Sequence, residues 1–402
     1  MTDRDTQKRL GFDPARLARI ERWMADHVAS GRLPGLAVQI KRHGVLAFSE
    51  RIGHSDVETD APVSADTIWR IYSMTKPVTS LAIMMLYEEG HFQLDQPVAD
   101  FIPDFARLPV WRGGDHNLHA TNPLARPITI HDLLTHQSGL VYGDPEGNVV
   151  ERAYTEAGLD FDRPGDCMTE AIGRLCRLPL AFQPGARWGY GLSTDVLGHL
   201  VEVISGNTLG AFFKSRIFDP LGMRDTDFVV PAAKRARLAA LYEREGARIR
   251  RVVDTDDNVN GMAIESGGGG LYSTMDDYQA FASMLLARGR TPGGRLVGRK
   301  TFDLMASNHM GDDLASRGQS HFSETTFEGI GFGLGFSVML DPQRAKIPGS
   351  PGEFAWGGMA STAFWVDPAE QMTVILMTQL IPSSAYALRR QLRVLSYAAL
   401  VD

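Results

Sequence analysis

The ten residues from Ile71 to Ser80 read IYSMTKPVTS, and the chain then stays rich in Leu, Met and Ala as far as Gly90. This composition, ended by a glycine, predicts a helix over 71–90. Residues three apart lie on one face of a helix, so the Lys76 amine is expected beside the Ser73 hydroxyl. Lys76 is the only lysine in the chain with a serine three residues before it.

A serine beside a lysine is an arrangement that supports nucleophilic catalysis. The hydroxyl is a poor nucleophile without a base in reach, and a lysine can be that base where burial favours its neutral form. A helix start also offers free backbone N–H groups, so the Ser73 amide can help to hold an oxyanion. Alone, Ser-x-x-Lys is a weak signal, and the alternative is a capped helix start with a solvated lysine.

Elements that predict an antiparallel sheet lie at both ends of the chain. Amphipathic helices are predicted at 13–30 and 385–400 from their apolar spacing. Short apolar runs, several of them paired across turn-like residues, predict strands. They lie at 36–40, 44–48, 268–272, 335–340, 362–366 and 372–377.

The middle of the chain differs in composition and pattern, because Pro and Gly are frequent and the helical patterns are short. Helices are predicted there at 130–135, 168–177 and 193–205. We therefore predict an α/β (α+β) fold with a central antiparallel sheet flanked by helices and an inserted, mostly helical domain. The predicted boundaries are 1–95 and 225–402 for the α/β domain and 96–224 for the helical domain.

Four later runs accompany residues 71–80. They are HDLLTHQSGL at 131–140, PGARWGY at 184–190 followed by STDVLG, GGGGLYST at 267–274 and WGGMAST at 356–362. In order and spacing the set resembles the serine β-lactamase and penicillin-binding-protein superfamily over about residues 15–380. It resembles most closely the family VIII carboxylesterases, which have a class C β-lactamase-like fold.

The resemblance implies catalytic roles. Ser73 would be the nucleophile, Lys76 the neighbouring base and Tyr190 the partner acid or base. The N–H groups of Ser73 and Met359 would form the oxyanion hole. Without the family pattern, Tyr190 reads as a buried aromatic residue with a hydrogen-bonded hydroxyl.

The third motif of the family implies a substrate-binding strand formed by Trp356, Gly357 and Gly358. An apolar lining by Trp356, Met359 and the substrate-binding candidate Tyr72 is expected to suit short or medium acyl chains. The two glycines let the backbone approach a substrate closely, and the alternative is a hairpin bulge. β-Lactamases usually carry Lys-Thr-Gly there, and a tryptophan cannot pair with a substrate carboxylate. The second motif, at Tyr190, also lacks the family's amide residue. Both departures favour uncharged esters over β-lactams.

These observations predict a serine hydrolase that cleaves short- to medium-chain carboxylic esters through an acyl-enzyme at Ser73. One alternative is a β-lactamase, D-peptidase, amidase or acyltransferase that uses the same three residues. Another is a non-catalytic sensor of the penicillin-binding type. Fold analogy does not separate these activities.

Composition limits the partners. The formal net charge is -7, which disfavours nucleic acid and anionic membranes, so a small-molecule ester is the expected partner. No cofactor and no metal site is predicted, since Cys167 and Cys176 are not in a Cys-x-x-Cys pair. They are interpreted as free thiols. The polar start of the sequence shows no signal peptide, and a cytoplasmic location is expected. The oligomeric state is left open.

Overall fold

The computed structural model describes residues 3–114, 117–159, 166–253, 264–318 and 327–402. Its helices are α1 (Arg4–Arg9), α2 (Pro14–Ala29), α3 (Lys76–Glu88), α4 (Ile130–Leu134), α5 (Val149–Glu156), α6 (Met168–Leu175), α7 (Ser193–Ser205), α8 (Leu209–Phe213), α9 (Asp219–Leu221), α10 (Met275–Leu286), α11 (Arg299–Met305), α12 (Pro342–Ala345) and α13 (Leu388–Ala398).

The strands form one large sheet and several small ladders. They are β1 (Gly35–Arg42), β2 (Val45–Asp56), β3 (Ala61–Pro62), β4 (Trp69–Arg70), β5 (Val110–Trp111), β6 (Thr121–Asn122), β7 (Tyr242–Glu245), β8 (Arg248–Arg251), β9 (Tyr272–Ser273), β10 (Arg290–Thr291), β11 (Gly294–Arg295), β12 (Ile330–Phe332), β13 (Ser337–Met339), β14 (Phe354–Gly357), β15 (Ala363–Asp367), β16 (Met372–Thr378) and β17 (Leu380–Ile381).

The large sheet has eight strands in the order β12-β13-β14-β15-β16-β1-β2-β3. Every pairing in it is antiparallel, and β1 joins the two hairpins of the chain by pairing with β16 from Leu36↔Thr378 to Arg42↔Met372. The predicted fold class, a central antiparallel sheet flanked by helices, is confirmed.

Strand β16 is buried along its whole length because helices cover both faces of the sheet. Alternate side chains of a strand point to opposite faces. Accordingly, Val374 and Leu376 pack with α2 and α13, whereas Ile375 and Met377 belong to the core that contains α3 and α10. The sheet is therefore the middle layer of the molecule.

Most predicted elements are present. The helices predicted at 13–30, 193–205 and 385–400 are α2, α7 and α13, and the two predicted hairpins are β1–β2 and β15–β16. The extended run predicted at 335–340 contains β13. Each of these elements carries a local apolar period that its neighbours in space reinforce.

Two predicted elements differ from the structure. The helix predicted over 71–90 begins as a 3-10 turn at Tyr72–Thr75 and becomes α3 only at Lys76. The strand predicted over 268–272 is wrong for most of its length, because only β9 is extended there. The glycines before β9 form a turn whose backbone groups bond to side chains instead of to a strand.

The segment 96–224 carries α4 to α9, and its described residues, 96–114, 117–159 and 166–224, contribute no strand to the large sheet. One continuous set of buried apolar side chains runs from this segment into α3 and α10. The division into two domains with the predicted boundaries stays a prediction.

In the described ranges no single helix has the length and apolar character of a membrane span. Residues Ser193–Ser205 and Leu209–Leu221 pass that test only as a pair, with a bend of 77° between them. Nine residues of α7 are buried inside the protein, from Ser193 to Val201.

Candidate active site

Ser73 lies in the 3-10 turn that precedes α3. Tyr72 adopts a positive φ of 43°, which L-residues rarely do, so the chain turns sharply just before the serine. A 3-10 turn has three residues per turn, and side chains three apart therefore eclipse one another. Pro77 in the first turn of α3 removes an N–H that has no partner within the helix. This local geometry places Lys76 directly beside Ser73.

Lys76 is buried, with 1% of its surface exposed. Its Nζ atom donates to Ser73 Oγ at 3.3 Å, to the Tyr142 hydroxyl at 2.7 Å and to the Gly268 carbonyl at 2.6 Å. The structure thus brings together the two residues that the sequence paired, and the alternative of a solvated lysine is wrong. The role of Lys76 as a base stays a prediction.

The glycine run 267–270 is shaped by close packing around Lys76. Asp195 is buried and accepts from the Gly268 N–H at 2.9 Å and from the Ser266 hydroxyl at 2.5 Å. A Cβ on Gly268 would lie 2.3 Å from Asp195 Oδ2, so only glycine fits. Burial raises the pKa of Asp195, and the neighbouring Lys76 charge partly opposes that shift. The carboxyl group thereby fixes Gly268, whose carbonyl accepts from Lys76.

Tyr190 also reaches Lys76, but with its ring. The Lys76 Nζ atom lies 4.7 Å from the Tyr190 ring centroid, in a cation–π arrangement. The Tyr190 hydroxyl accepts a hydrogen bond from Trp356 Nε1 at 3.3 Å. The structure therefore places Tyr190 in the site as expected and joins it to the predicted substrate strand.

Tyr142 is the residue that the sequence analysis missed. Its hydroxyl accepts the hydrogen bond from Lys76, and its ring packs edge-on against Tyr190 with centroids 5.4 Å apart. The only signal in the sequence is its position two residues after the run 131–140. A contact across 66 positions carries no periodic pattern that could reveal it.

Tyr190 belongs to an aromatic cluster. The cluster consists of His136, Trp188, Tyr190, Phe332 and Trp356, whose rings contact one another at centroid distances of 5.0 to 6.1 Å. His136 is buried, and both burial and the Lys76 charge hold its pKa well below the usual value. A neutral imidazole and four other rings give this side of the site a low polarity.

The predicted oxyanion turn follows β14. Strand pairing continues in register through Trp356↔Phe364 and Gly357↔Ala363, so the bulge alternative does not apply at Gly357. A Cβ on Gly358 would lie 2.4 Å from the carbonyl oxygen of Ile71, which brings the turn close to the serine. In the described part of the chain the Met359 N–H makes no hydrogen bond, and the Met359 side chain is 50% exposed. That N–H is therefore a free donor among the described residues, and its role in an oxyanion hole with Ser73 stays a prediction.

Within the described ranges, no group of three or more His, Cys, Asp or Glu side chains is arranged to hold a metal ion. Cys167 and Cys176 are free thiols. Burial raises the pKa of Cys176 to about 11, which keeps it in its unreactive thiol form.

An antiparallel sheet with a Ser-x-x-Lys pair at the start of a buried helix defines the class of active-site serine proteins that includes β-lactamases and penicillin-binding proteins. The chain belongs to the beta-lactamase family, whose model matches residues 20–399. The resemblance to this superfamily and to its esterase branch is confirmed.

Individual relatives are similar over most of their length. Protein Rv1367c of Mycobacterium tuberculosis is 35% identical over 357 residues, which cover 88% of this chain and 87% of that protein. Esterase EstB of Burkholderia gladioli is 32% identical over 389 residues, 91% of either chain. Among solved structures, EstCE1, a hydrolase with promiscuous acyltransferase activity, has a TM-score of 0.79 at 25% identity and covers 95% of this chain and 98% of its own.

The two tyrosines should differ in their effects. We expect Tyr190→Phe to lower kcat for an ester on the order of a hundredfold, because it removes a proton-transferring group. Tyr142→Phe removes one hydrogen bond to Lys76 and should lower kcat about tenfold. Steady-state hydrolysis of 4-nitrophenyl butyrate measures both.

A matched control for these variants is Tyr154→Phe. The Tyr154 hydroxyl is buried and donates to the Pro179 carbonyl, outside the contacts described for Lys76. It should leave kcat unchanged. Near-normal turnover in Tyr190→Phe together with a large loss in Tyr142→Phe would transfer the acid–base role to Tyr142.

Proposed function

We propose that the protein hydrolyses uncharged carboxylic esters with short to medium acyl chains through an acyl-enzyme at Ser73. The observation that carries the proposal is the buried Lys76 amine 3.3 Å from Ser73 Oγ. Lys76 also lies over the ring of Tyr190, whose hydroxyl accepts from Trp356, the residue that stands where β-lactamases usually have a cation. The esterase name of a relative 32% identical over most of both chains supports the same reaction.

In the first half-reaction, Ser73 Oγ attacks the ester carbonyl while its proton passes to Lys76. The oxyanion is held by the N–H groups of Ser73 and Met359. As the tetrahedral intermediate collapses, the C–O bond to the alcohol breaks and the proton moves to the leaving oxygen through Tyr190 or Lys76. In the second half-reaction, water attacks the acyl carbonyl and gives up a proton. The bond between the acyl carbon and Ser73 Oγ then breaks, the proton passes to that oxygen and the free acid leaves.

The side chains around the serine favour an uncharged, apolar substrate. Trp356 is half-buried and Met359 is 50% exposed, so both offer apolar surface. Trp356 has no charge to pair with the carboxylate of a β-lactam, and its indole N–H is engaged with Tyr190. Transfer of an apolar acyl chain from water to this surface is favourable by about 0.8 kcal/mol for each methylene buried.

Acyl transfer is a second candidate. The same acyl-enzyme can be attacked by an alcohol in place of water, which forms a new ester and again returns the proton to Ser73. The solved neighbour EstCE1 has promiscuous acyltransferase activity by its own description, and it is similar to nearly the whole of this chain. The low polarity around Tyr190 would favour an organic alcohol over water at that step.

The test compares substrates with the wild-type protein. We expect kcat/KM for 4-nitrophenyl butyrate to exceed that for a chromogenic cephalosporin by roughly a hundredfold or more. The cephalosporin carries a carboxylate, and Trp356 offers no charge to pair with it. Adding methanol or butanol during turnover and measuring the new ester reports acyl transfer. Efficient cephalosporin turnover would overturn the ester proposal in favour of a β-lactamase.

A protein that becomes acylated once and then stalls would be a sensor, not an esterase. Intact-mass measurement after mixing with the nitrophenyl ester distinguishes this outcome from turnover. Absence of both acylation and turnover with esters would contradict the proposal.

A further inference from the structure

Arg389, in the first turn of α13, lies under the turn that follows β14. Its Nη2 atom donates to the Gly358 carbonyl at 2.7 Å and to the Thr362 carbonyl at 3.1 Å. A Cβ on Gly357 would lie 2.6 Å from the guanidinium carbon, so the arginine packs directly against the glycine strand. The side chain is half-buried.

The Gly358 carbonyl shares a peptide plane with the Met359 N–H. In a trans peptide the C=O and N–H bonds point in opposite directions. The Ser361 N–H donates to the same carbonyl at 3.2 Å and closes the turn. With two donors on one face, the carbonyl is directed into the turn and towards α13, and the Met359 N–H is directed to the opposite side.

A donor on the carbonyl also makes the N–H of the same peptide a stronger donor. Hydrogen bonds that share a polar group polarise one another, and a bond from a charged donor is stronger than a neutral one. The guanidinium charge lies on the carbonyl side of the peptide. It stabilises a negative charge that develops on the N–H side.

We propose that Arg389 is a positioning residue that orients and polarises the Gly358–Met359 peptide so that its N–H stabilises the oxyanion formed at Ser73. Arg389 acts through the peptide and does not touch the substrate. The inference rests on the proposed ester hydrolysis, and it adds a residue of α13 to the site around Ser73.

The test is Arg389→Met, with Arg390→Met as the matched control. Arg390 is the next residue on the same helix, is also half-buried and donates to the Lys346 carbonyl away from the turn. We expect Arg389→Met to lower kcat for 4-nitrophenyl butyrate about tenfold with little change in KM, less than the effect of removing an oxyanion donor outright. Arg390→Met should leave kcat unchanged.

Two further measurements separate positioning from a general loss of structure. Butylboronic acid forms a tetrahedral adduct with a catalytic serine, so its inhibition constant should rise by the same factor as kcat falls. The carbonyl stretching frequency of the acyl-enzyme should move to higher wavenumber in Arg389→Met, since its hydrogen bonds weaken. Arg389→Lys should restore part of the rate because it returns a charged donor.

The outcomes are distinguishable. If the wild type turns over the ester and Arg389→Met matches Arg390→Met in kcat and boronate affinity, the positioning role is wrong and the proposed function stands. If Arg389→Met loses activity only through a lower melting temperature, with an unchanged carbonyl frequency in its folded fraction, the positioning role is also wrong. A wild type without ester turnover would defeat the proposed function itself.

Discussion

Ser73→Ala is expected to lower the turnover of 4-nitrophenyl butyrate on the order of a thousandfold or more, because no covalent acyl-enzyme can form. The fold should remain, since the substitution removes one oxygen from a half-buried side chain. Lys76 keeps its bonds to Tyr142 and Gly268 in the variant, so its buried amine stays satisfied. The melting temperature and the steady-state rate are measured side by side.

The matched control for that variant is Ser80→Ala. Ser80 lies on the same helix, is buried, and its hydroxyl has no hydrogen-bond partner in the described part of the structure. Its loss should leave turnover and labelling by a fluorophosphonate unchanged. Full activity in Ser73→Ala, or fluorophosphonate labelling of that variant at another serine, would assign the nucleophile elsewhere.

The fold was predictable where the signal is local. The exact span of α7 and the hairpins β1–β2 and β15–β16 follow from apolar periods and turn residues that lie within about 20 positions of one another. Ser73 and Lys76 are three residues apart, and their contact needs only one turn of backbone. Such features do not depend on how distant segments of the chain pack together.

The rest of the site depends on contacts between distant segments. Lys76 meets Tyr142 across 66 positions and the Gly268 carbonyl across 192 positions. The turn at Gly268 is set by the buried carboxyl group of Asp195, which overrides the extended conformation that the sequence suggested. The positive φ of Tyr72 likewise follows from its surroundings, since a tyrosine does not favour that conformation.

The second large effect is expected for Lys76→Met, which keeps most of the length of the side chain and removes the amine. We expect kcat to fall on the order of a hundredfold or more, because Ser73 loses the buried amine that lies 3.3 Å from its hydroxyl and is proposed to take its proton. The Gly268 carbonyl loses its partner, which costs about 1–3 kcal/mol of stability. The variant also no longer buries a polar amine, and this offsets part of that cost.

Pre-steady-state kinetics with 4-nitrophenyl butyrate shows which step needs the amine. The burst of nitrophenolate measures acylation, and the slow phase that follows measures deacylation. An exposed lysine offers the control, Lys300→Met, which should leave both phases unchanged. If Lys76→Met slows both phases, Lys76 serves both half-reactions. If only the slow phase is affected, Lys76 activates the water and Tyr142 or Tyr190 activates the serine. Normal rates in both phases would reduce Lys76 to a structural residue that anchors the turn at Gly268.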